Sequence, residues 1–302
     1  MQPLLTESSM FQRYRAALVL MRIPFSVYLM PVYWFALSAA PVVSPASAIL
    51  TFFILHLLVY PASNGYNSYF DKDEGSIGGL KQPPRVTPEL LHVVLIFDTL
   101  AVLASLLLSP VFAAMVALYL LVSKAYSYKG IRLKKYPITS TIIVTVFQGA
   151  FTFIMVQVGA GVEPQNTLYF PTEGFALAST LLLCGSYPLT QIYQHEEDSK
   201  RGDKTLSLLL GIQGTFIFAA SCLTLGSGVL LYLYFITDQA INILIFLVCT
   251  GPILYFFSSW VWQAQKNAQV VNYENTMRMN KISSICISLA FVTIMVVEAI
   301  RA

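Results

Sequence analysis

Residues 212–259 decide the fold class, and they read IQGTFIFAASCLTLGSGVLLYLYFI, then TD, then QAINILIFLVCTGPILYFFSS. A single charged side chain, that of Asp238, interrupts this run. A helix needs about 20 mostly apolar residues to cross the hydrocarbon core of a bilayer. The run therefore predicts two consecutive transmembrane helices, over 212–236 and 239–259, joined by a short polar turn.

The composition extends this conclusion to the whole chain. Hydrophobic residues make up 56% of the 302 residues and charged residues 11%, against about 45–50% and about 25% in soluble domains. So few charges cannot cover the surface of a soluble protein of this size. The formal net charge of +3 gives no reason to expect a nucleic-acid partner. The sequence predicts an all-α, polytopic membrane protein whose surroundings are the lipid bilayer.

The apolar segments predict nine membrane helices in a single domain over residues 1–302. Prolines, among them Pro41, Pro110 and Pro137, mark several of the breaks between them. The predicted spans are 23–40, 46–64, 88–108, 111–128, 139–160, 174–193, 212–236, 239–259 and 282–300.

The basic residues fall on one side of this predicted topology. All of the 18 Lys and Arg except Arg301 lie in the N-terminal segment or at the ends and loops that follow even-numbered spans. The positive-inside rule places such residues in the cytoplasm. We therefore expect an integral, multi-pass protein whose N-terminus and even-numbered loops are cytoplasmic and whose C-terminus lies on the opposite side.

Two acidic clusters follow predicted spans 2 and 6, so they are expected on the same face. They consist of Asp71, Asp73 and Glu74, and of Glu196, Glu197, Asp198 and Asp203. Asn67 precedes Asp71 by four residues, and Gln194 precedes Asp198 by four. Residues four apart share one face of a helix, and oxygen ligands of this kind suit Mg²⁺. Both clusters are candidate magnesium sites.

A basic stretch lies between the two acidic clusters, and residues 124–135 read KAYSYKGIRLKK. Lys and Arg bind phosphate oxygens well, and Mg²⁺ commonly shares its shell with phosphate. Acids, metal and bases on one face describe a pocket for a diphosphate. The alternative is a set of solvated loops, but it does not predict an amide four residues before Asp in both clusters. Within the stretch, Lys134 and Lys135 are expected to act mainly as topology signals.

Several motifs carry a family resemblance, and it extends over essentially the whole chain. They are Arg22-Ile-Pro24, the NxxxD spacing of Asn67 and Asp71, Tyr126-Ser127 with Lys129, Glu197-Asp198, and the RGDKTL run at 201–206. This set resembles the UbiA superfamily of intramembrane prenyltransferases. The resemblance implies nine helices around a central cavity open at the cytoplasmic face, with Mg²⁺ holding an isoprenyl diphosphate. It further implies a carbocation that alkylates a lipophilic, usually aromatic, acceptor.

The resemblance also implies roles for individual residues. The catalytic metal ligands, direct or through water, would be Asn67, Asp71 and Asp198. The diphosphate would be held by Arg22, Lys129, Arg132 and Lys204, with Tyr126 beside it.

This chain departs from the superfamily pattern at two positions. The superfamily's first motif runs NxxxDxxxD, and its second acid is replaced here by Gly75, so Asp73 or Glu74 is expected to supply a carboxylate. The first acid of the second motif is replaced by Gln194. A neutral ligand there would shift more of the metal binding to Glu197 and to Asp198.

Three further polar residues need an interpretation. Asp98 lies within predicted span 3 and Gln148 within span 5, where polar groups are expensive and often functional. Each could bind the acceptor or move a proton, or could make a hydrogen-bonded packing contact. His195 would face away from its motif neighbours on a helix, so we expect it to take no part in the chemistry.

Three functions agree with these residues. The first is Mg²⁺-dependent transfer of a prenyl group from an isoprenyl diphosphate to a lipophilic aromatic acceptor within the membrane. The second is a terpene cyclase of the same superfamily, which quenches its own carbocation. The third is a non-enzymatic transporter of an anionic lipid. A transporter should carry ionisable groups near the bilayer midplane, whereas most charges here lie at one surface.

Overall fold

The computed structural model describes residues 9–301, and regular structure within them is helical apart from an isolated bridge between Ile77 and Leu80. The all-α prediction is confirmed. The α-helices are α1 Met10–Leu20, α2 Met30–Ser38, α3 Pro45–Phe53, α4 Tyr60–Asp71, α5 Glu89–Ser105, α6 Pro110–Ser127, α7 Pro137–Val146, α8 Thr152–Gly159, α9 Thr172–Leu189, α10 His195–Arg201, α11 Leu206–Ile236, α12 Ala240–Lys266 and α13 Tyr273–Arg301.

Seven helical segments of the described chain are long and apolar enough to cross a membrane, so this is a multi-pass membrane protein. The predicted spans 88–108 and 174–193 coincide with α5 and α9, but neither is among the seven. Helix α5 has 17 residues, and α9 carries Glu173 and Pro188. The count of nine therefore stays a prediction. The seven segments are Met10–Ser38, Pro45–Asp71, Pro110–Ser127, Pro137–Gly159, Leu206–Ile236, Ala240–Lys266 and Tyr273–Arg301.

Several helices extend beyond the apolar segments that predicted them. Helix α12 ends at Lys266 rather than at 259, and α13 begins at Tyr273 rather than at 282. Helix α11 begins at Leu206, but Gly211, with φ 67°, kinks it next to the predicted start at 212. Hydropathy marks only the part of a helix that lies in hydrocarbon. The first turns of α13 bring Met277, Met279 and Asn280 to the cavity.

Three irregularities shape the helices that surround the cavity. The backbone of Arg22 is left-handed, with φ 51°, and it separates α1 from a 3₁₀ segment, Ile23–Leu29. Two π-helical turns, Ile54–Val59 and Phe147–Phe151, join α3 to α4 and α7 to α8. Such turns occur frequently at functional sites, and Gln148 of the second turn lines the cavity.

Helices α9 and α11 pack with their backbones in close contact. A Cβ atom added at Gly185 would lie 2.9 Å from the carbonyl oxygen of Ala219, and one added at Gly226 would lie 2.9 Å from the amide nitrogen of Leu182. Small residues allow this kind of approach between membrane helices. The pair forms one rigid wall of the bundle.

Candidate active site

A cavity of about 480 Å³ lies inside the helical bundle. Cavities that bind organic ligands usually have about 300–1,000 Å³ and place a few polar groups in an apolar wall. Phe35, Phe246 and Phe291 contribute to the apolar wall. The charged residues of the lining lie together at the opposite end, and they are Arg22, Asp71, Asp73, Lys134, Asp198 and Asp203. Four carboxylates and two bases give this end a net negative charge, so it suits an anionic head only together with a bound divalent cation, while the apolar wall suits a tail.

The first acidic motif lies on the last turn of α4. Because α4 remains helical as far as Asp71, Asn67 and Asp71 share a helix face, as the spacing predicts. The amide of Asn67 donates to Ser127 Oγ at 2.9 Å. Left-handed Lys72, with φ 51°, then turns the chain. This turn lets Asp73 line the cavity as well.

The two residues that could replace the missing acid at position 75 differ in location. Asp73 lines the cavity, whereas Glu74 is exposed and is not part of the lining. The structure therefore places Asp73, and not Glu74, beside Asp71.

The second acidic motif follows α9 through a short connection. Gln194 precedes α10, and its carbonyl accepts a hydrogen bond from the Asp198 amide at 2.9 Å. This single helical turn brings both Gln194 and Asp198 to the cavity. Thr205 Oγ1 donates to Asp198 Oδ2 at 3.3 Å. Glu197 is not among the lining residues.

Glu197 instead joins the second motif to the first. Its Oε1 accepts a hydrogen bond from the Gly75 amide at 3.4 Å. A Cβ atom at position 75 would lie 2.6 Å from Glu197 Oε2, closer than side-chain atoms can pack. Because the Glu197 carboxylate is the end of a flexible side chain, an aspartate at position 75 would displace it from its hydrogen bond and place a like charge beside it.

Lys134 links the two acidic motifs. Its side chain is buried, and its Nζ lies 2.6 Å from Asp71 Oδ1 and 3.2 Å from Asp203 Oδ2. Arg132 makes a forked contact with the same Asp203, with Nη2 2.9 Å from each carboxylate oxygen. Asp203 is 4% exposed, so these bases neutralise a carboxylate that has little access to water.

The expectation that Lys134 acts mainly as a topology signal is therefore wrong. Left-handed Arg132, with φ 45°, begins a tight 3₁₀ turn over Leu133–Lys135. This turn directs Lys134 inward, whereas Lys135 stays exposed with its Nζ 5.0 Å from the ring centre of Tyr136. Sequence reasoning missed Lys134 because the two neighbouring lysines have the same chemistry. It also left Asp203 without a role, although Asp203 belongs to the second acidic cluster.

Arg22 and Tyr126 lie in the cavity wall as the resemblance implies. Arg22 donates from Nη1 to the carbonyl of Gly78 and from Nη2 to the carbonyl of Asn64, both at 3.2 Å. Its Nε is buried and has no hydrogen-bond partner among residues 9–301. The hydroxyl of Tyr126 lies 2.8 Å from that of Tyr187. Both groups are thus held in place by the protein.

Three other predicted diphosphate contacts lie outside the cavity lining. Lys129 and Lys204 are exposed, and neither lines the cavity. Arg132 is not part of the lining either and reaches it only through Asp203. The structure therefore brings Arg22 and Lys134 to the acidic motifs in place of these three bases.

Asp98 and Gln148 have different surroundings. Asp98 Oδ2 lies 2.6 Å from Lys124 Nζ, between α5 and α6, and neither residue lines the cavity. This ion pair agrees with the interpretation of Asp98 as a packing contact. Gln148 lines the cavity, as does Tyr119.

His195 makes a hydrogen bond outside the cavity lining. Its Nε2 lies 2.7 Å from Ser207 Oγ, and it is not among the cavity residues. Burial lowers the pKa of His195 from its ordinary value of 6.5. A neutral ring in a hydrogen bond with a hydroxyl group explains its presence without a catalytic role.

The sequence and the architecture both match a known family. A sequence profile of the UbiA prenyltransferase family matches residues 28–282. The chain belongs to the UbiA prenyltransferase family. A sequence comparison with curated proteins gave no match.

Solved UbiA-type structures share the fold of this family member. A UbiA homolog from Archaeoglobus fulgidus bound to GPP and Mg²⁺ has a TM-score of 0.62 at 16% identity, covering 92% of this chain and 99% of that one. The same homolog bound to DMAPP and Mg²⁺ has 0.61 at 19%, covering 92% and 98%. Digeranylgeranylglyceryl phosphate synthase has 0.59 at 17%, covering 94% and 98%. At these identities the likeness concerns the fold.

The donor set of this UbiA family member suits a divalent cation that shares its shell with phosphate. No three His, Cys, Asp or Glu side chains among residues 9–301 are grouped closely enough to hold a metal alone. Four residues with side-chain oxygen atoms nevertheless line the same end of the cavity, and they are Asn67, Asp71, Asp73 and Asp198. Mg²⁺ is usually bound by one or two carboxylates together with substrate phosphates and water, so this set is sufficient.

Proposed function

We propose that this protein transfers a prenyl group from an isoprenyl diphosphate to a lipophilic aromatic acceptor within the membrane, with Mg²⁺ as its cofactor. The observation that carries the proposal is the meeting of both acidic motifs with Arg22 and Lys134 at the charged end of an otherwise apolar cavity. The A. fulgidus homolog bound to GPP or DMAPP with Mg²⁺ supports it.

The charged end of the cavity would bind the diphosphate. Asn67, Asp71, Asp73 and Asp198 would hold Mg²⁺, which supplies charge neutralisation for the leaving diphosphate. An ammonium group has three donors, and Lys134 contacts two carboxylates, so one donor remains for a phosphate oxygen. The guanidinium group of Arg22, held by the carbonyls of Gly78 and Asn64, would add a second fixed positive charge. Donors held in advance stabilise charge where it develops.

The apolar part of the cavity would protect the reactive prenyl cation. The allylic C–O bond breaks and its electron pair leaves with the diphosphate, so the prenyl group becomes positively charged. Aromatic ring faces attract cations, and Tyr126, Tyr187 and Phe147 line the cavity. The acceptor ring then attacks the cation and loses a proton. Walls without water favour this attack over hydrolysis.

A terpene cyclase is the second candidate. The aromatic end of the cavity, with Phe35, Phe246 and Phe291, would stabilise a cation that closes on its own chain equally well. The two activities share ionisation and differ in what quenches the cation.

We also propose nine membrane passes, with α5 and α9 as the third and the sixth. The N-terminus and the cavity mouth would then be cytoplasmic and the C-terminus would lie on the other side, supported by the one-sided distribution of Lys and Arg. Cysteine labelling at Leu80 should report the cytoplasmic side and labelling at Gln165 the opposite side. Labelling of both from one side would refute the topology.

One experiment tests the proposed function. Purified protein is incubated with Mg²⁺ and prenyl diphosphates of several lengths, first alone and then with aromatic acids or quinone precursors. We expect slow turnover alone and a prenylated product with an acceptor, whereas a cyclic terpene without acceptor would support the cyclase. Asp71→Asn keeps the side-chain size and removes the charge, and it should slow turnover by about 10²–10³-fold. An Asp71→Asn protein with normal Mg²⁺-dependent activity would refute the site.

A further inference from the structure

A layer of aromatic rings separates the cavity from a second pocket at the other end of the bundle. The second pocket has a volume of about 420 Å³, and its lining includes Ser38, Thr172, Tyr234, Gln239 and Glu298. None of these residues lines the cavity described above.

The order of residues along each helix shows that the two spaces lie end to end. On α13, Asn280 and Ile287 line the cavity, Phe291 is its last lining residue, and Glu298 lines the second pocket. On α9, the residues that line the cavity run from Leu189 back to Ser179, and Phe175 lines the pocket. Three further helices give the same order, cavity before pocket. The residues are 35 and 38 of α2, 227 and 234 of α11, and 246 of α12 with 239 at its N-cap.

Between the two spaces the described helices contribute large rings in mutual contact. Phe35 stacks on Phe291 with ring centres 4.3 Å apart and an angle of 12°. Phe35 contacts Phe175 at 5.8 Å, Phe175 contacts Tyr234 at 5.6 Å, and Phe246 contacts Phe291 at 6.2 Å. All five side chains are at most 3% exposed. We name these five residues the aromatic layer.

We propose that the aromatic layer is the floor that limits the length of the prenyl chain. This inference rests on the proposed function, because it assigns the apolar part of the cavity to the tail of an isoprenyl diphosphate. The head would be held by fixed charges beside Arg22, and the apolar lining that continues to Phe35 and Phe291 would take the tail along the bundle axis. Phe35 lies 13 residues beyond Arg22, seven of them in the 3₁₀ segment, which corresponds to about 23 Å of helix.

The aromatic layer would limit the length of the prenyl chain because its packed rings cannot easily move aside. Packed protein interiors are as dense as organic crystals and yield little to an added group. A tail that reaches the Phe35–Phe291 stack would have to displace rings that are also held by Phe175 and Phe246. Removal of ring volume would connect the cavity to the second pocket, which has room for further isoprene units.

The test measures length preference and not activity alone. Phe35→Leu, Phe291→Leu and the double variant Phe35→Leu/Phe175→Leu are compared with the unchanged protein, using GPP and its homologues with one, two and three more isoprene units. The readout is the ratio of kcat/KM for the longest substrate to that for GPP. Discrimination by one methylene is worth about 10–200-fold in a hydrophobic pocket. We expect the ratio to rise at least about tenfold in the single variants and further in the double variant.

Phe153 offers a matched control. Its side chain is fully buried and its ring centre lies 4.9 Å from that of Phe35, yet Phe153 lines neither space. Phe153→Leu should lose a similar amount of packing and leave the length ratio unchanged. If a leucine variant fails to fold, Phe291→Met introduces a side chain of similar volume that is more flexible and fills irregular gaps, and it should shift the ratio in the same direction.

Two outcomes would overturn the inference. An unchanged ratio in every folded variant would mean that the tail leaves sideways between helices into the lipid. An equal shift in Phe153→Leu and Phe35→Leu would mean that general loosening, and not the floor, sets the length. Failure of the proposed function has a different signature, because the unchanged protein would then consume no prenyl diphosphate of any length.

Discussion

Lys134 contacts Asp71 and Asp203, and Arg132 contacts Asp203; we call these four residues the charged network. Removal of the Lys134 ammonium group tests this network most directly. In Lys134→Met the side chain keeps its length and apolar stem but loses its charge. Asp71 and Asp203 would then face each other's charges with one counter-ion fewer, since Lys134 Nζ lies 2.6 Å and 3.2 Å from their oxygens. Removal of one partner from a buried ion pair typically costs about 3–5 kcal/mol of folding stability. The continued contact of Arg132 with Asp203 should keep the cost at the lower end.

The effect of Lys134→Met on turnover should exceed its effect on folding. Loss of one preorganised donor to a developing oxyanion slows chemistry by about 10²–10³-fold. We expect a loss of this size in kcat/KM for the isoprenyl diphosphate, measured with saturating Mg²⁺ and acceptor. Unfolding followed by thermal denaturation in the same detergent reports the stability change separately.

Lys135 is the control for Lys134, because it is adjacent, has the same charge and is exposed. Lys135→Met should leave kcat/KM within about twofold of the unchanged protein, since exposed charges contribute little. Equal losses in the two variants would refute the network and would mean that only the bulk positive charge of the loop matters. Lys134→Arg should restore part of the stability, because it keeps the positive charge. It should restore little of the rate, because the planar guanidinium group cannot take the position of a compact ammonium group between two carboxylates.

Three further predictions concern the acidic motifs and Asp98. Asp73→Asn should lower turnover by about 10²-fold or more. Glu74→Gln should have only a small effect on turnover, because only Asp73 lines the cavity. The reverse result in a turnover assay would contradict this placement of the two residues. Gly75→Asp should lower turnover by placing a like charge beside Glu197 and displacing its carboxylate, and the added substitution Glu197→Gln should recover part of the loss, whereas a fully active Gly75→Asp protein would contradict the repulsion. Asp98→Asn should cost about 1–3 kcal/mol of folding stability, because it leaves Lys124 unpaired, and it should not change kcat. A selective loss of turnover would mean that Asp98 binds the acceptor or moves a proton.

The sequence by itself determined the class of the protein and the local geometry of its motifs. Few charges and long apolar runs predict membrane helices, because lipid offers no hydrogen bonds to backbone N–H and C=O groups and a helix pairs these groups internally. The shared face of Asn67 and Asp71 followed from helix periodicity, which depends on neighbouring residues alone. The oxygen-rich character of both clusters was likewise visible in residue type.

The tertiary structure alone decided which of the similar residues meet. Lys134 contacts an acid 63 residues earlier in the chain, whereas Lys129 and Lys204, with the same charge, remain at the surface. Glu197 meets Gly75 across 122 residues. The aromatic layer is assembled from five separate helices. Periodicity and composition describe a residue's own neighbourhood, whereas such contacts depend on how whole helices pack, so only the folded bundle determines them.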